Sequence, residues 1–298
     1  MTIKNLVIGT AGIHIFELVG ALHKLLQVEY IKYDEIENIY CTSAGSIMGV
    51  LFCLKTDWND LIDYILKNPW EKTFENLITT TSLFSALNEK GVLDKQVFIK
   101  IVYPIFKAHG LKMTMTLKDL YEYSKINVNI YTFNISTFKS EVFNYKTYPD
   151  EMVIDVLYAS CALPFIFKPV TIGDSIYMDG GLKDEYPLHK CINDGNDEET
   201  ILGIKVIDST EYVINDSDNI FQLAYYLLRR FILNNRTYYQ DDFDNEIIIS
   251  CTTGIDLNKA TNVLSNESVR KEWVNHGKEE CEKFLLHKLN KLTKPNNK

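Results

Sequence analysis

The 298-residue chain has no uncharged apolar run approaching the ~18 residues needed to span a bilayer, which argues against a helical membrane protein. Its six cysteines (41, 53, 161, 191, 251 and 281) are scattered, without a CxxC pair. Neither a zinc site nor a disulfide framework is indicated, and buried free thiols in a reducing compartment fit best. Prolines number seven and glycines 14, and no repeat, low-complexity tract or Pro/Ser-rich linker divides the chain. Positive charge is in deficit: 31 Lys and Arg against 40 Asp and Glu leave a net charge of −9. That balance excludes a general nucleic-acid binder and gives no electrostatic pull toward anionic lipid, so any peripheral membrane contact must be apolar or local. Met1-Thr2-Ile3-Lys4-Asn5 enters a strand at once, so no signal peptide is expected. The expected location is intracellular, either cytoplasmic or peripherally membrane-associated.

What is present reads as one α/β domain over residues 1–298, with fraying from about 290. Asn5-Leu6-Val7-Ile8 is a short apolar run ending at Gly9, and Phe16 to Leu26 follows with helical spacing of Leu18, Leu22, Leu25 and Leu26. A second strand, Glu37 to Cys41, runs into Ser43, and Ile47 to Leu54 is almost continuously apolar, as in a helix buried against a sheet. Strand-helix-strand-helix with short links predicts parallel strands joined by right-handed crossovers. Further helices are predicted over Asp57–Lys67, Asp94–Ala108, Thr116–Ser124, Val153–Ser160, Ile220–Leu233 and Val269–Leu289. Strands are expected at Asn127–Asn134 and Ser140–Tyr145 as a hairpin, then at Thr200–Val206 and Glu246–Ser250. The stripe in Ile220–Leu233, which contains Arg229-Arg230, is expected to be core rather than membrane anchor. Asp241 to Glu246 alternates carboxylates without a calcium-loop glycine and reads as a solvated turn. The uncharged, partly apolar segment Thr79 to Phe84 is expected to form a cover, with Leu83 and Phe84 as its two large side chains.

Two short motifs carry chemistry. Cys41-Thr42-Ser43-Ala44-Gly45 puts a serine between small residues at a strand-to-helix turn, where neighbouring backbone must approach closely. Alone, the pentapeptide is read first as an N-cap serine on a buried helix. Met178-Asp179-Gly180-Gly181 puts a carboxylate on a glycine-rich turn, which alone is a common Asp-Gly turn. Together they supply a hydroxyl nucleophile and a carboxylate base. Ser43 stands after one strand and one helix, and His189, His276 and His287 fall in helical stretches after Asp179, so a dyad is favoured over a triad. Gly9 to His14 leaves a strand for a helix, and its backbone N–H groups suit an oxyanion. GxGxxG is absent, which disfavours dinucleotide binding.

In order, these motifs resemble the patatin-like phospholipase family over nearly the whole chain. The glycine-rich oxyanion loop is matched by Leu6 to Gly12 and the Gly-x-Ser-x-Gly elbow by Cys41 to Gly45. The Ala-Ser-x-Ala-x-Pro stretch is matched by Ala159 to Pro164, and the Asp-Gly-Gly turn by Asp179 to Gly181. The resemblance implies an α/β three-layer sandwich with a central, mostly parallel sheet. It also implies a serine lipid acyl hydrolase with Ser43 as nucleophile and Asp179 as base. Thr10, Ala11 and Gly12 would form the oxyanion hole, and Gly45, Gly180 and Gly181 would support the turns. No metal or organic cofactor is implied, and the expected partner is a lipid substrate. The chain departs from the family in having Thr10-Ala11-Gly12 for a run of three glycines and His14 for a basic residue. The rival expectation is therefore a catalytically weak or inactive member that binds lipid or a protein partner.

Overall fold

The computed structural model describes residues 2–74, 88–208, 220–234, 243–251 and 257–293. Leu83 and Phe84 lie outside the described residues. In chain order the strands are β1 (Asn5–Ile8), β2 (Asn38–Thr42), β3 (Gly91–Leu93), β4 (Asn127–Asn134), β5 (Lys139–Phe143), β6 (Phe165–Phe167), β7 (Val170–Ile172), β8 (Ser175–Asp179), β9 (Ile201–Asp208) and β10 (Glu246–Cys251). The helices are α1 (Ile15–Gln27), α2 (Ala44–Cys53), α3 (Trp58–Lys67), α4 (Trp70–Phe74), α5 (Lys95–Ala108), α6 (Leu117–Ser124), α7 (Val153–Cys161), α8 (Leu188–Asn193), α9 (Ile220–Asn234), α10 (Leu257–Ser265) and α11 (Glu267–Thr293).

Strand order in the main sheet is β10-β9-β1-β2-β4-β8-β7, with β5 also paired to β4. The pairs from β10 to β4 are parallel, whereas β5, β7 and β8 join antiparallel. Alternation along the central strands explains the layers. Leu6, Ile8, Ile39, Cys41 and Ile130 face a large core shared with α1, α2, α7 and α11. Val7, Tyr40 and Tyr131 point the other way, onto Leu188 and Cys191 of α8. The result is an α/β fold whose central, mostly parallel sheet has helices on both faces.

Local sequence accounts for several helix starts. Asp57 accepts hydrogen bonds from the Asn59 and Asp60 N–H groups, and Asp94 accepts one from Gln96. Thr116 and Asp119 form a reciprocal capping box. Helix α7 ends before Leu163-Pro164, and all six cysteines are buried free thiols. One expectation is corrected. The α9 stripe is exposed rather than core: Ile220 is 70%, Leu223 38%, Leu227 57% and Phe231 46% accessible. At about 100° per residue, these four lie within about 80° of one another around the helix.

Candidate active site

Strands β1 and β2 are parallel neighbours, with Ile8 opposite Cys41, so both chains leave the sheet at the same edge. Carboxyl ends of parallel strands are where α/β folds place ligands. The turn from Gly9 follows one strand, and Ser43 follows the other. Asp179 ends β8, which runs antiparallel to β4 with Asp179 opposite Thr132. Three distant sequence segments therefore meet at one edge.

Ser43 has φ 54° and ψ −129°, a backbone conformation that costs a non-glycine residue roughly 1–3 kcal/mol and is found where function requires it. Neighbouring groups hold it there. The Ser43 N–H donates to Ser160 Oγ at 2.9 Å, and that hydroxyl donates to the Tyr131 carbonyl at 2.7 Å. Ser46 Oγ donates to the Ser43 carbonyl at 2.6 Å. Cys41, two residues before Ser43, packs its sulfur against Gly49 of α2, where a built Cβ would lie 3.1 Å from Cys41 Sγ.

Ser43 Oγ donates to Asp179 Oδ2 at 2.7 Å, while Asp179 Oδ1 accepts the Gly181 N–H at 2.7 Å. Both side chains are buried. Burial pushes the Asp179 carboxyl up to about 6, against the opposing pull of the hydrogen bonds from Ser43 and Gly181. A carboxylate so raised is a better proton acceptor than an exposed one. Gly180 is needed for contact: a Cβ there would stand 2.2 Å from the Tyr131 carbonyl oxygen. Gly181 is similarly close to Thr10, with 2.8 Å from a built Cβ to Thr10 Cγ2.

The first turn differs from expectation in one donor. Thr10 N–H donates to the Glu185 carbonyl at 2.9 Å and is committed to the fold. The Ala11 and Gly12 N–H groups have no backbone acceptor among the described residues. Ala44, first in α2, also has an N–H that no intrahelical carbonyl takes up.

Four of the six histidines are engaged elsewhere. His189 Nε2 lies 3.5 Å from Asp184 Oδ1, and His109 Nε2 lies 3.1 Å from Thr56 Oγ1. His14 and His276 both contact Glu17. His14 Nδ1, Glu17 Oε2 and Cys251 Sγ form the one three-membered cluster of metal-ligand type among the described residues. Their separations are 2.7, 3.1 and 3.3 Å, which are hydrogen-bond lengths. A tetrahedral zinc with bonds of 2.0–2.3 Å spreads such atoms to roughly 3.3–3.6 Å. The cluster is a hydrogen-bonded one.

The sequence pattern described as Patatin, patatin-like phospholipase, matches residues 6–192, from β1 into α8. The chain belongs to the patatin-like phospholipase family. Within that family's neighbourhood, this patatin-like chain is 26% identical over 223 residues to the "Probable lipid hydrolase 463L" of Invertebrate iridescent virus 6, covering 74% of this chain and 73% of that one. Its fold is similar to the crystal structure of VipD from Legionella pneumophila, with a TM-score of 0.53 and 15% identity, over 96% of this chain and 67% of that one. Among the described residues of this patatin-like chain, no helix is long and apolar enough to cross a membrane.

Ser160 lies within the Ala159–Pro164 stretch, and its local sequence assigns it no role. The signal available was a hydroxyl beside Leu157, Ala159 and Ala162 at the apolar end of α7, where a polar side chain needs a partner.

Proposed function

We propose that this chain is a lipid acyl hydrolase that cleaves fatty-acyl esters through Ser43 and Asp179. The observation that carries the reading is the 2.7 Å hydrogen bond from Ser43 Oγ to Asp179 Oδ2, made by a serine in a strained turn. Ser43 Oγ attacks the ester carbonyl carbon, and its proton passes to Asp179. The tetrahedral oxyanion is received by N–H groups of Ala11 and Gly12, with Ala44 at the start of α2. The carbon–oxygen bond to the alcohol breaks, Asp179 protonates the leaving oxygen, and an acyl-Ser43 ester remains. Water then gives a proton to Asp179 and attacks that ester; the fatty acid leaves as the proton returns to Ser43. Neither step calls for a metal or organic cofactor.

Helix α9 packs beside the Gly180–Leu182 turn that follows Asp179. Its exposed apolar stripe is the proposed contact with aggregated lipid, in place of the electrostatic attraction that a net charge of −9 does not supply.

A fluorophosphonate probe with peptide mapping tests the reading. Covalent labelling at Ser43, together with turnover of a lipid ester, supports it. The second reading, a non-catalytic lipid- or partner-binding protein, is favoured by the commitment of the Thr10 N–H to Glu185. No labelling and no turnover across a lipid panel would select that one.

A further inference from the structure

The Ala11–Gly12 peptide unit is held from one side. His14 N–H donates to the Ala11 carbonyl at 2.9 Å, and a trans peptide is planar, so that bond fixes the Gly12 N–H in the opposite direction. Gly12 has φ +52°, a left-handed conformation open to glycine. The orientation of one uncommitted N–H thus depends on where His14 sits.

The His14 side chain is clamped in turn. It is buried, and its Nδ1 lies 2.7 Å from Glu17 Oε2. Its ring stacks on Trp273 of α11, with centroids 4.5 Å apart and planes within 9°. The other Glu17 oxygen, Oε1, accepts from His276 Nδ1, also of α11, at 2.7 Å. Burial opposes the Glu17 charge, yet the hydrogen bonds from His14, Cys251 and His276 outweigh it and hold the carboxyl below its usual value. A charge at this depth is retained only while such partners remain.

The two helices touch backbone to backbone at this level. A Cβ on Gly20 would lie 2.0 Å from the Val274 carbonyl oxygen, and one on Gly277 would lie 2.0 Å from that of Glu17. Helix α11 is consequently fixed against α1 within one turn of His276 and Glu17. His276, Glu17 and His14 form a continuous path from the last helix to the first turn.

We propose that Glu17 and His276 are positioning residues, which act through His14 to aim the Gly12 N–H as an oxyanion donor. The proposal rests on the lipid-hydrolase reading for its catalytic consequence, whereas the positioning itself is a property of the fold. Losing one oxyanion donor typically costs ~10²–10³ in rate. Glu17→Gln, which keeps shape but not charge, is expected to lower kcat by about 10²-fold with KM within about twofold. His276→Gln removes a half-buried ring at the far end of the path and is expected to lower kcat by about tenfold, with the melting temperature little changed.

The deciding measurement is the Gly12 amide resonance in 15N-labelled Ser43→Ala protein, compared with the same protein carrying Glu17→Gln or His276→Gln. Displacement of the Gly12 signal in both, with the β5 amides in place, is the expected result. An unmoved Gly12 signal in folded His276→Gln protein overturns the proposal, as does unchanged kcat in that variant when wild type is active. If wild type turns over no ester while the Gly12 signal still moves, the hydrolase reading fails and the positioning stands.

Discussion

The α-carbon of Gly45 rests against the carbonyl of Gly9: a Cβ built on Gly45 would lie 2.4 Å from that oxygen and 2.5 Å from the oxygen of Ile8. The contact joins the serine turn to the end of β1, from which the first turn departs. The distance between nucleophile and oxyanion donors is thus set by two backbones with no side chain between them.

Gly45→Ala forces a methyl into that contact. Overpacking of this kind costs about 1–3 kcal/mol, because backbone carbonyls have to move. A chain of this size should lose several degrees of melting temperature, at ~2–4 °C per kcal/mol. Ester turnover should fall further than stability does, since the movement separates the two turns. Thermal melts and kinetics on the same sample check this; full activity in a folded variant would show that the turns tolerate separation.

Ser43→Ala is expected to abolish ester turnover and fluorophosphonate labelling. It also leaves Asp179 Oδ2 without its hydrogen-bond donor, so the fold should change little or lose about 1 kcal/mol at neutral pH. Residual turnover at the wild-type level in pure protein would put the nucleophile elsewhere.

Asp179 should oppose activity to stability. Its folded carboxyl is raised from 3.8 to about 6, so between those values the native state holds a proton that the unfolded state releases. Stability from this group is present below about pH 4 and lost as pH rises through 6, at a cost of up to about 3 kcal/mol. The base must be ionised to work, so kcat/KM should rise with pH through about 6 and level off above it. Asp179→Asn should be inactive, and its melting temperature relative to wild type should improve between pH 4.5 and 7.5. A pH-independent difference would contradict the buried, raised carboxyl.

Much of this arrangement was legible in the sequence because the relevant signals are local. Alternation in Leu6-Val7-Ile8 and Ile39-Tyr40-Cys41 separates the two sheet faces, and Asp57, Asp94 and Thr116 mark helix starts by their capping chemistry. The Ser43 and Asp179 turns were legible as small-residue motifs, each requiring close backbone approach. Strands β3, β6 and β7 go unread because three residues carry no usable periodicity, and the five residues of β8 are too few to mark a strand beside the Asp-Gly-Gly turn. The contact of Gly20 and Gly277 with the opposite helix joins residues remote in the chain, and neither glycine shows its partner locally. The stripe of α9 illustrates a different limit: spacing identifies an apolar face but not what covers it.

Ser160→Ala tests a residue that sequence reasoning left without a role. It removes the acceptor of the buried Ser43 N–H and the hydroxyl that ties it to Tyr131. An unsatisfied buried donor costs about 1–3 kcal/mol, here at a residue already in a strained conformation. Stability should fall by that amount and kcat by one to two orders of magnitude, with both partly restored in Ser160→Thr, whose hydroxyl survives. If Ser160→Ala is as stable and active as wild type, the serine turn is held by its remaining contacts alone.

The exposed stripe of α9 gives the last prediction. Ile220, Leu223, Leu227 and Phe231 share one face, and Arg230 at its margin donates from Nε to Tyr226 Oη at 3.2 Å while lying over that ring. An apolar face edged by a guanidinium and a phenol has the chemistry of an interfacial helix, apolar toward acyl chains and polar at headgroup level. Leu227→Ser with Phe231→Ser removes two of the four apolar contacts without touching Ser43 or Asp179. Hydrolysis of phospholipid vesicles should drop by an order of magnitude or more, while turnover of a soluble short-chain ester stays within about twofold. Co-sedimentation of Ser43→Ala protein with the same vesicles should weaken in parallel, which separates binding from chemistry. Equal losses on both substrates would mean a folding defect, and no loss on either would remove α9 from the lipid surface. A shift from dimer to monomer in sedimentation, with vesicle activity unchanged, would instead assign the stripe to contact between two copies of the chain.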